Sequence, residues 1–301
     1  MQMIQIQQVY KRFDDLEAVN NFSLRIEKGS IYGLLGSNGA GKTTLLKLIA
    51  GIYKPDSGNI LIDGQPVFEN VHIKQRTMFI ADALYFFPNA TITQMANFYK
   101  SIYTSWNDER FQKLQSAFPL NLHKRLSRMS KGMQRQAAFL LVLSAMPDVL
   151  ILDEPLDGLD AVMRQKVRNL LVQDVAEREM TVLISSHNLR EVEDLCDHIS
   201  IMHDGKMLIE KDLDDLKSDI HKIQVAWRGD IPAEFINEHA ILYKEERGSV
   251  FLYIIRGDQQ QLVQQIEHYH PLVFDILPLT LEEIFIYEMG DIGYAIENIM
   301  V

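Results

Sequence analysis

The segment Ile31-Tyr-Gly-Leu-Leu35-Gly36-Ser-Asn-Gly39-Ala-Gly41-Lys42-Thr43 constrains this chain more than any other. A short apolar run enters a glycine-rich loop, and Thr43 to Ala50 reads as a helix that stops at Gly51. The loop fits the spacing G-x-x-x-x-G-K-[ST], and it follows a strand and opens a helix, the context that spacing requires. Three glycines let backbone N–H groups curl around a phosphate, and the helix N-terminus adds its positive end. Gly36, Ser37, Asn38, Gly39, Ala40, Gly41, Lys42, Thr43 and Thr44 are therefore the candidate phosphate contacts. Lys42 is expected to reach the β- and γ-phosphates. Thr43 offers a hydroxyl to Mg²⁺, a hard ion that prefers oxygen.

A second apolar run, Val149 to Leu152, ends in Asp153-Glu154. Adjacent strand residues face opposite sides. The two carboxylates thus suit different roles: Asp153 holding the metal through water, Glu154 polarising an attacking water. A solvated acidic turn is the bland alternative, and a phosphate loop in the same chain weighs against it. A third run, Thr181 to Ile184, also lies inside long helix-like stretches. Buried strands alternating with helices indicate an α/β fold with a parallel sheet. Ile4 to Ile6 and Phe22 to Ile26 alternate instead, as half-buried strands do. Residues 90–145 read as a helical insertion.

Charge narrows the partners. Lys plus Arg is 30 and Asp plus Glu is 41, for a net −11. That balance argues against a polyanion partner, so no nucleic acid is expected. The single cysteine, Cys196, excludes an intrachain disulfide and multi-cysteine metal sites. The N-terminus lacks the pattern of a signal peptide. The most apolar stretch, Ala137 to Met146, falls short of the roughly 18 residues of a membrane span.

Rhythm changes near Glu210. Asp212 to Asp219 is charged and helix-like and reads as a linker with a solvated acidic face. Beyond it, Ile223 to Trp227 alternates as a strand, and Pro232 starts a short helix. Ile241 to Tyr243 and Val250 to Ile255 read as a hairpin around Arg247-Gly248. Asp258 can cap a helix bearing Leu262, Ile266 and Tyr269 on one face. Leu272 to Leu277 is a strand, and Thr280-Leu-Glu-Glu283 forms a capping box. The order β-α-β-β-α-β is the split, ferredoxin-like pattern of a small α+β domain.

Further segments fall into register with the phosphate loop. Met129-Ser130-Lys131-Gly132-Met133-Gln134-Arg135-Gln136 precedes Asp153 by just over twenty residues. Pro155-Leu-Asp157-Gly-Leu-Asp160 comes after it, Ser185-Ser-His187 follows a strand, and Phe13 stands in Lys11-Arg-Phe13 near the N-terminus. In order and spacing, residues 1–210 resemble the nucleotide-binding subunit of an ATP-binding-cassette (ABC) transporter, of the bacterial exporter-like type.

The resemblance implies a P-loop NTPase fold: a RecA-like core, an N-terminal antiparallel β subdomain and the helical insertion. Residues 1–212 then form the ABC ATPase domain and 213–301 an accessory domain. It implies that Phe13 stacks on adenine and that Ser130 and Gly132 contact the γ-phosphate held by a second ATP-binding subunit, in a homo- or heterodimer. Glu154 and His187 are the implied catalytic residues, His187 sensing the γ-phosphate. ATP and Mg²⁺ are implied, as is a transmembrane permease subunit that holds the chain on the inner, cytoplasmic face of the cell membrane. The implied function is ATP hydrolysis driving transport of a substrate chosen by the permease.

The sequence departs from the family pattern where Lys131 replaces glycine and Met133 replaces glutamine. Asp82 fills the slot of a glutamine that meets Mg²⁺ and relays to the membrane partner, so Asp82 joins Thr43 and Asp153 as a metal candidate. Leu84-Tyr-Phe-Phe87, just after it, is either a protein-binding patch or subdomain core. Two other readings stay open. One is a soluble ABC-type ATPase, disfavoured by the single cassette and the acidic charge. The other is an ATP-binding regulatory module without turnover, disfavoured by Glu154 and His187. Cys196, Trp106 and Trp227 read as packing residues, and His268 and His270 lack the neighbours of a metal site.

Overall fold

The computed structural model describes residues 2–227, 235 and 240–291. The chain divides into two compact units, 1–210 and 211–301.

The first unit starts with two long strands, β1 (Gln2–Phe13) and β2 (Leu16–Glu27), paired antiparallel. Next come β3 (Ile31–Leu35), α1 (Lys42–Ile49), β4 (Ser57–Ile62), β5 (Gln65–Pro66), α2 (Val71–Arg76) and β6 (Thr77–Ile80). β2, β1, β4 and β5 make one four-stranded sheet. The insertion follows as α3 (Ile92–Ile102), α4 (Asp108–Ala117) and α5 (Lys131–Ser144). The rest is β7 (Val149–Asp153), α6 (Ala161–Arg178), β8 (Thr181–Ser186), α7 (Leu189–Glu193), β9 (His198–His203) and β10 (Lys206–Asp212).

The central sheet runs β10-β9-β3-β8-β7-β6. From β9 to β6 the neighbours pair in parallel, so their carboxyl ends share one edge. β3, β7 and β8 are buried along their whole length. That explains their unbroken apolar sequence, because helices cover both faces of a parallel sheet. Alternation appears in strands that bury one face more than the other, as in β2. α1 joins the two sheets into one core. Its Leu45, Leu46, Leu48 and Ile49 are fully buried among Ile4, Phe22, Ile26 and Ile60 of one sheet and Leu34, Val149, Ile151 and Leu183 of the other. Each such side chain contributes about 1.5–3 kcal/mol. The loop before α1 is thereby fixed to a rigid element.

α5 is apolar on all sides from Ala137 to Leu143 and buried accordingly. α3 and α4 pack against it. Thr91 and Gln94 cap α3 reciprocally, and Arg110 of α4 pairs with the buried Asp174 of α6 at 2.5 Å.

In the second unit, α8 (Leu213–Asp219) is capped by Asp212. This corrects the linker reading: Leu213 and Leu216 are buried, while Asp214 and Asp215 face solvent. A helix that buries an apolar pair belongs to a core. The strands β11 (Ile220–Ala226), β12 (Ala240–Arg247), β13 (Val250–Arg256) and β14 (Val273–Leu277) form a sheet ordered β12-β13-β11-β14 with antiparallel pairing throughout. The first strand thus lies between the third and fourth, as the split pattern requires. α9 (Gln259–His268) is capped by Asp258 and buries Leu262 and Ile266 against Ile223, Val225, Trp227, Tyr253 and Ile255. Thr280 and Glu283 cap α10 (Leu281–Asp291) reciprocally. The helix expected from Pro232 lies outside the described residues, Phe235 excepted.

Candidate functional site

Leu34, Ser185 and Asp153 stand in one row across β3, β8 and β7. The loop that leaves β3 and the carboxyl ends of β7 and β8 therefore meet at one edge, where open α/β sheets bind their ligands. Gly41 shows why the loop is glycine-rich. Its φ is +104°, and a Cβ there would stand 2.2 Å from the Ala18 carbonyl oxygen.

Lys42 is buried, and its Nζ donates to the carbonyls of Gly36 at 2.7 Å and Ser37 at 3.2 Å. It also lies 3.5 Å from Glu154 Oε1. The Thr43 hydroxyl donates to Asp153 Oδ2 at 2.8 Å. Asp153, 1% exposed, accepts a second bond at Oδ1 from Ser185 Oγ at 2.7 Å. Ser185 Oγ in turn accepts from the Glu154 N–H at 3.2 Å.

Glu154 has left the strand. Its φ is +46°, in the left-handed region that costs a side-chain-bearing residue about 1 kcal/mol or more. The turn changes the geometry that strict alternation would impose. Asp153 and Glu154, neighbours in sequence, both aim at the loop: one at Thr43, the other at Lys42 and His187. His187 Nδ1 lies 2.9 Å from Glu154 Oε2. Ligand atoms of Glu154, Asp157 and His187 lie within 4.8 Å of one another.

Gly39 to Thr44, with Ser37 and Asn38, line a cavity of about 440 Å³, whose other walls include Leu16, Glu17, Ala18, Asp82, Glu154 and Asp204. Glu17, Asp82, Glu154 and Asp204 thus share this cavity with Lys42. A polyphosphate entering such a cavity needs a further positive charge. The oxygens of Thr43 and Asp153 are the hard donors that suit a divalent ion.

Gly36, Asp153 and His187 do not line this cavity but bond to residues that do, whereas Phe13, Ser130 and Gly132 are placed elsewhere. Phe13 is not among its lining residues: its ring meets Tyr53 edge-on at 5.4 Å and is 40% exposed. Leu16, Glu17 and Ala18 of the following strand hold that wall. Ser130 caps α5, accepting from the Met133 N–H at 3.3 Å. Gly132 packs against the 155–160 loop, where a Cβ would meet the Gly158 carbonyl oxygen at 2.7 Å. The start of α5 instead borders a second cavity of about 550 Å³ with Asp82, Leu84, Asp157 and Gly158. The aromatic run is not subdomain core. Tyr85 is 79% exposed, and Phe87, 45% exposed, meets Phe98 edge-on at 4.7 Å.

Ser185 and Arg135 escaped the sequence reading as site residues. The available signal was a polar residue inside an apolar strand, and a cation at the start of an apolar helix. Cys196 is buried, which pushes its thiol pKa up and makes it inert.

A phosphate loop on a parallel sheet, with paired carboxylates at the end of the next strand but one, defines a P-loop nucleotide hydrolase. The ABC transporter family profile matches residues 19–157. The ABC transporter ATP-binding protein YtrB of Bacillus subtilis (strain 168) is 34% identical over 288 residues, 96% of this chain and 98% of that protein. The bacitracin transport ATP-binding protein BcrA of Bacillus licheniformis is 34% identical over 210 residues, 69% of either chain. The dimeric structure of MJ0796, a bacterial ABC transporter cassette, shares the fold with a TM-score of 0.65 at 22% identity, covering 70% of this chain and 99% of that one. The chain belongs to the ATP-binding proteins of ABC transporters and is an ATPase of that family. Among the described residues, no helix is long and apolar enough to cross a membrane.

Proposed function

We propose that this chain hydrolyses ATP as a dimer to power transport through separate membrane-spanning subunits, docked on the inner face of the cell membrane. The observation that carries the reading is the convergence of Lys42, Thr43, Asp153, Glu154 and His187 from three parallel strands onto one glycine loop. Lys42 binds the outer phosphates. Thr43 and Asp153 hold Mg²⁺, which, when bound, neutralises charge on the phosphoryl oxygens. Glu154 orients and accepts a proton from the attacking water. His187, tethered to Glu154, senses the terminal phosphate.

The separation of Ser130 and Gly132 from the loop supports a composite site. The start of α5, the positive end of that helix, is available to the nucleotide of a second subunit. Phe13, its ring edge-on to Tyr53 and partly exposed, is the aromatic residue offered to adenine. The exposed Tyr85 and Phe87 supply the aromatic anchors of a membrane-subunit interface. The transport names of the relatives support this assignment, and the transported substrate is set by the partner.

The test is reconstitution in lipid vesicles with a polytopic membrane protein as partner. ATPase activity should rise on reconstitution, and Glu154→Gln should abolish both activity and substrate movement. ATP turnover with no response to any membrane partner would favour a soluble ATPase instead.

A further inference from the structure

Arg135 lies in the second turn of α5, just ahead of the most apolar stretch of the chain, and is only 6% exposed. A buried guanidinium is costly unless it is paired. Its two terminal nitrogens reach one short segment. Nη1 donates to the Ala81 carbonyl and Nη2 to Asp82 Oδ1, each at 3.3 Å. That segment is the link between β6 and α3, where the chain leaves the parallel sheet for the helical insertion. The Asp82 side chain is itself 61% exposed. Asp82 alone among the lining residues borders both the phosphate-loop cavity and the second cavity beside α5.

We propose that Arg135 is a positioning residue that stations Asp82 at the phosphate-loop cavity and thereby ties α5 to the state of the nucleotide. The inference rests on the ATP-hydrolysing reading of that cavity. A planar fork holding a backbone carbonyl and a carboxylate together fixes both the position and the direction of the link, which a lysine cannot do. A divalent cation bound with the nucleotide would draw the Asp82 carboxylate toward the loop. Arg135 would then have to release Asp82, or α5 to follow it. Either way, occupancy of the loop is felt at the start of α5, the part of the chain that borders the second cavity.

The test compares Arg135→Met, Arg135→Lys, Asp82→Asn and the double variant Arg135→Met/Asp82→Asn. In nucleotide-free protein, Arg135→Met should raise amide hydrogen exchange across residues 81–87 by about tenfold while the rest of the sheet is unchanged. Asp82→Asn should raise it less, because the Ala81 bond persists, and Arg135→Lys should not restore protection. With MgATP, kcat should fall severalfold in Arg135→Met with KM within about twofold of wild type. The double variant should be no worse than Arg135→Met, the mark of residues acting as one unit. Additive losses of kcat, or wild-type exchange at 81–87 in Arg135→Met, overturn the proposal. Should Arg135→Met not fold, wild-type exchange at 81–87 in the exposed variant Asp82→Asn overturns it equally. Absence of ATPase activity in the wild-type protein would defeat the functional reading, while the exchange measurement still judges Arg135.

Discussion

His187 Nδ1 and Glu154 Oε2 lie 2.9 Å apart across the ends of β8 and β7. The His187 N–H donates to the same carboxylate oxygen at 3.3 Å, so backbone and ring grip one atom. The other oxygen, Oε1, faces Lys42. Glu154 is therefore held by two strands and the loop at once. An acid–base group of this kind is only as good as its aim, because proton transfer needs hydrogen-bond reach.

Replacing Glu154 with Gln keeps size and hydrogen bonding but removes the base. Glu154→Gln should bind MgATP with near-native affinity and lose about 10²–10⁴ in hydrolysis rate. ATP should then drive accumulation of dimer on size-exclusion chromatography. Near-native turnover would show that another group orients the water.

Ser185 is the hub between the two carboxylates. Ser185→Ala leaves the buried Asp153 with Thr43 as its remaining partner and orphans the Glu154 N–H. The expected loss is about 1–3 kcal/mol of stability, the cost of buried groups left unpaired. Urea unfolding measures it. The metal dependence of ATPase activity should also weaken, since Asp153 is then free to rotate. A variant with unchanged urea midpoint and unchanged Mg²⁺ titration would show that Ser185 only fills space.

Gly132→Ala tests a steric requirement within one subunit. Its Cβ would press on the backbone carbonyl of Gly158, which cannot rotate away as a flexible side chain would. A displacement of the 156–160 loop costing about 1–3 kcal/mol is expected. Monomeric protein should show faster amide exchange at Asp157 to Leu159. Loss of hydrolysis with wild-type stability and exchange would place the role of Gly132 wholly at the partner's nucleotide.

Glu191 gives the stability a pH dependence. Burial raises its carboxyl above the usual 4.5, opposed by Arg164 and the Ser186 hydroxyl. From 4.5 up to the raised value, the folded chain keeps a proton that the unfolded chain has released. Stability must then fall as pH rises through that window and stay lowered above it. Glu191→Gln removes this titration, so its urea midpoint should depend less steeply on pH across the same window. Equal slopes in the two proteins would mean that Arg164 fully offsets burial.

Some of this site was legible because it is continuous in the chain. The loop from Gly36 to Thr43 is bounded by its own strand and helix, so glycine spacing and the lysine suffice to place it. The same holds for the caps at Asp258 and Thr280, each set by contacts within one turn. The apolar runs that became β3, β7 and β8 likewise announced themselves, because a strand buried on both faces has no polar side to show. What the sequence by itself determined, then, was the local structure and the chemistry each segment carries. Only the tertiary structure decided which segments meet. Thr43 and Asp153 are 110 residues apart, and Asp153 and Ser185 are 32 apart. Sheet order alone brings them together, and that order depends on packing by every helix around it. The left-handed turn at Glu154, the lodging of Phe13 against Tyr53, the grip of Arg135 on Asp82 and the burial of Leu213 and Leu216 are all of this kind. Each is settled by a competition among distant neighbours for the same space, and no single stretch of sequence holds both competitors.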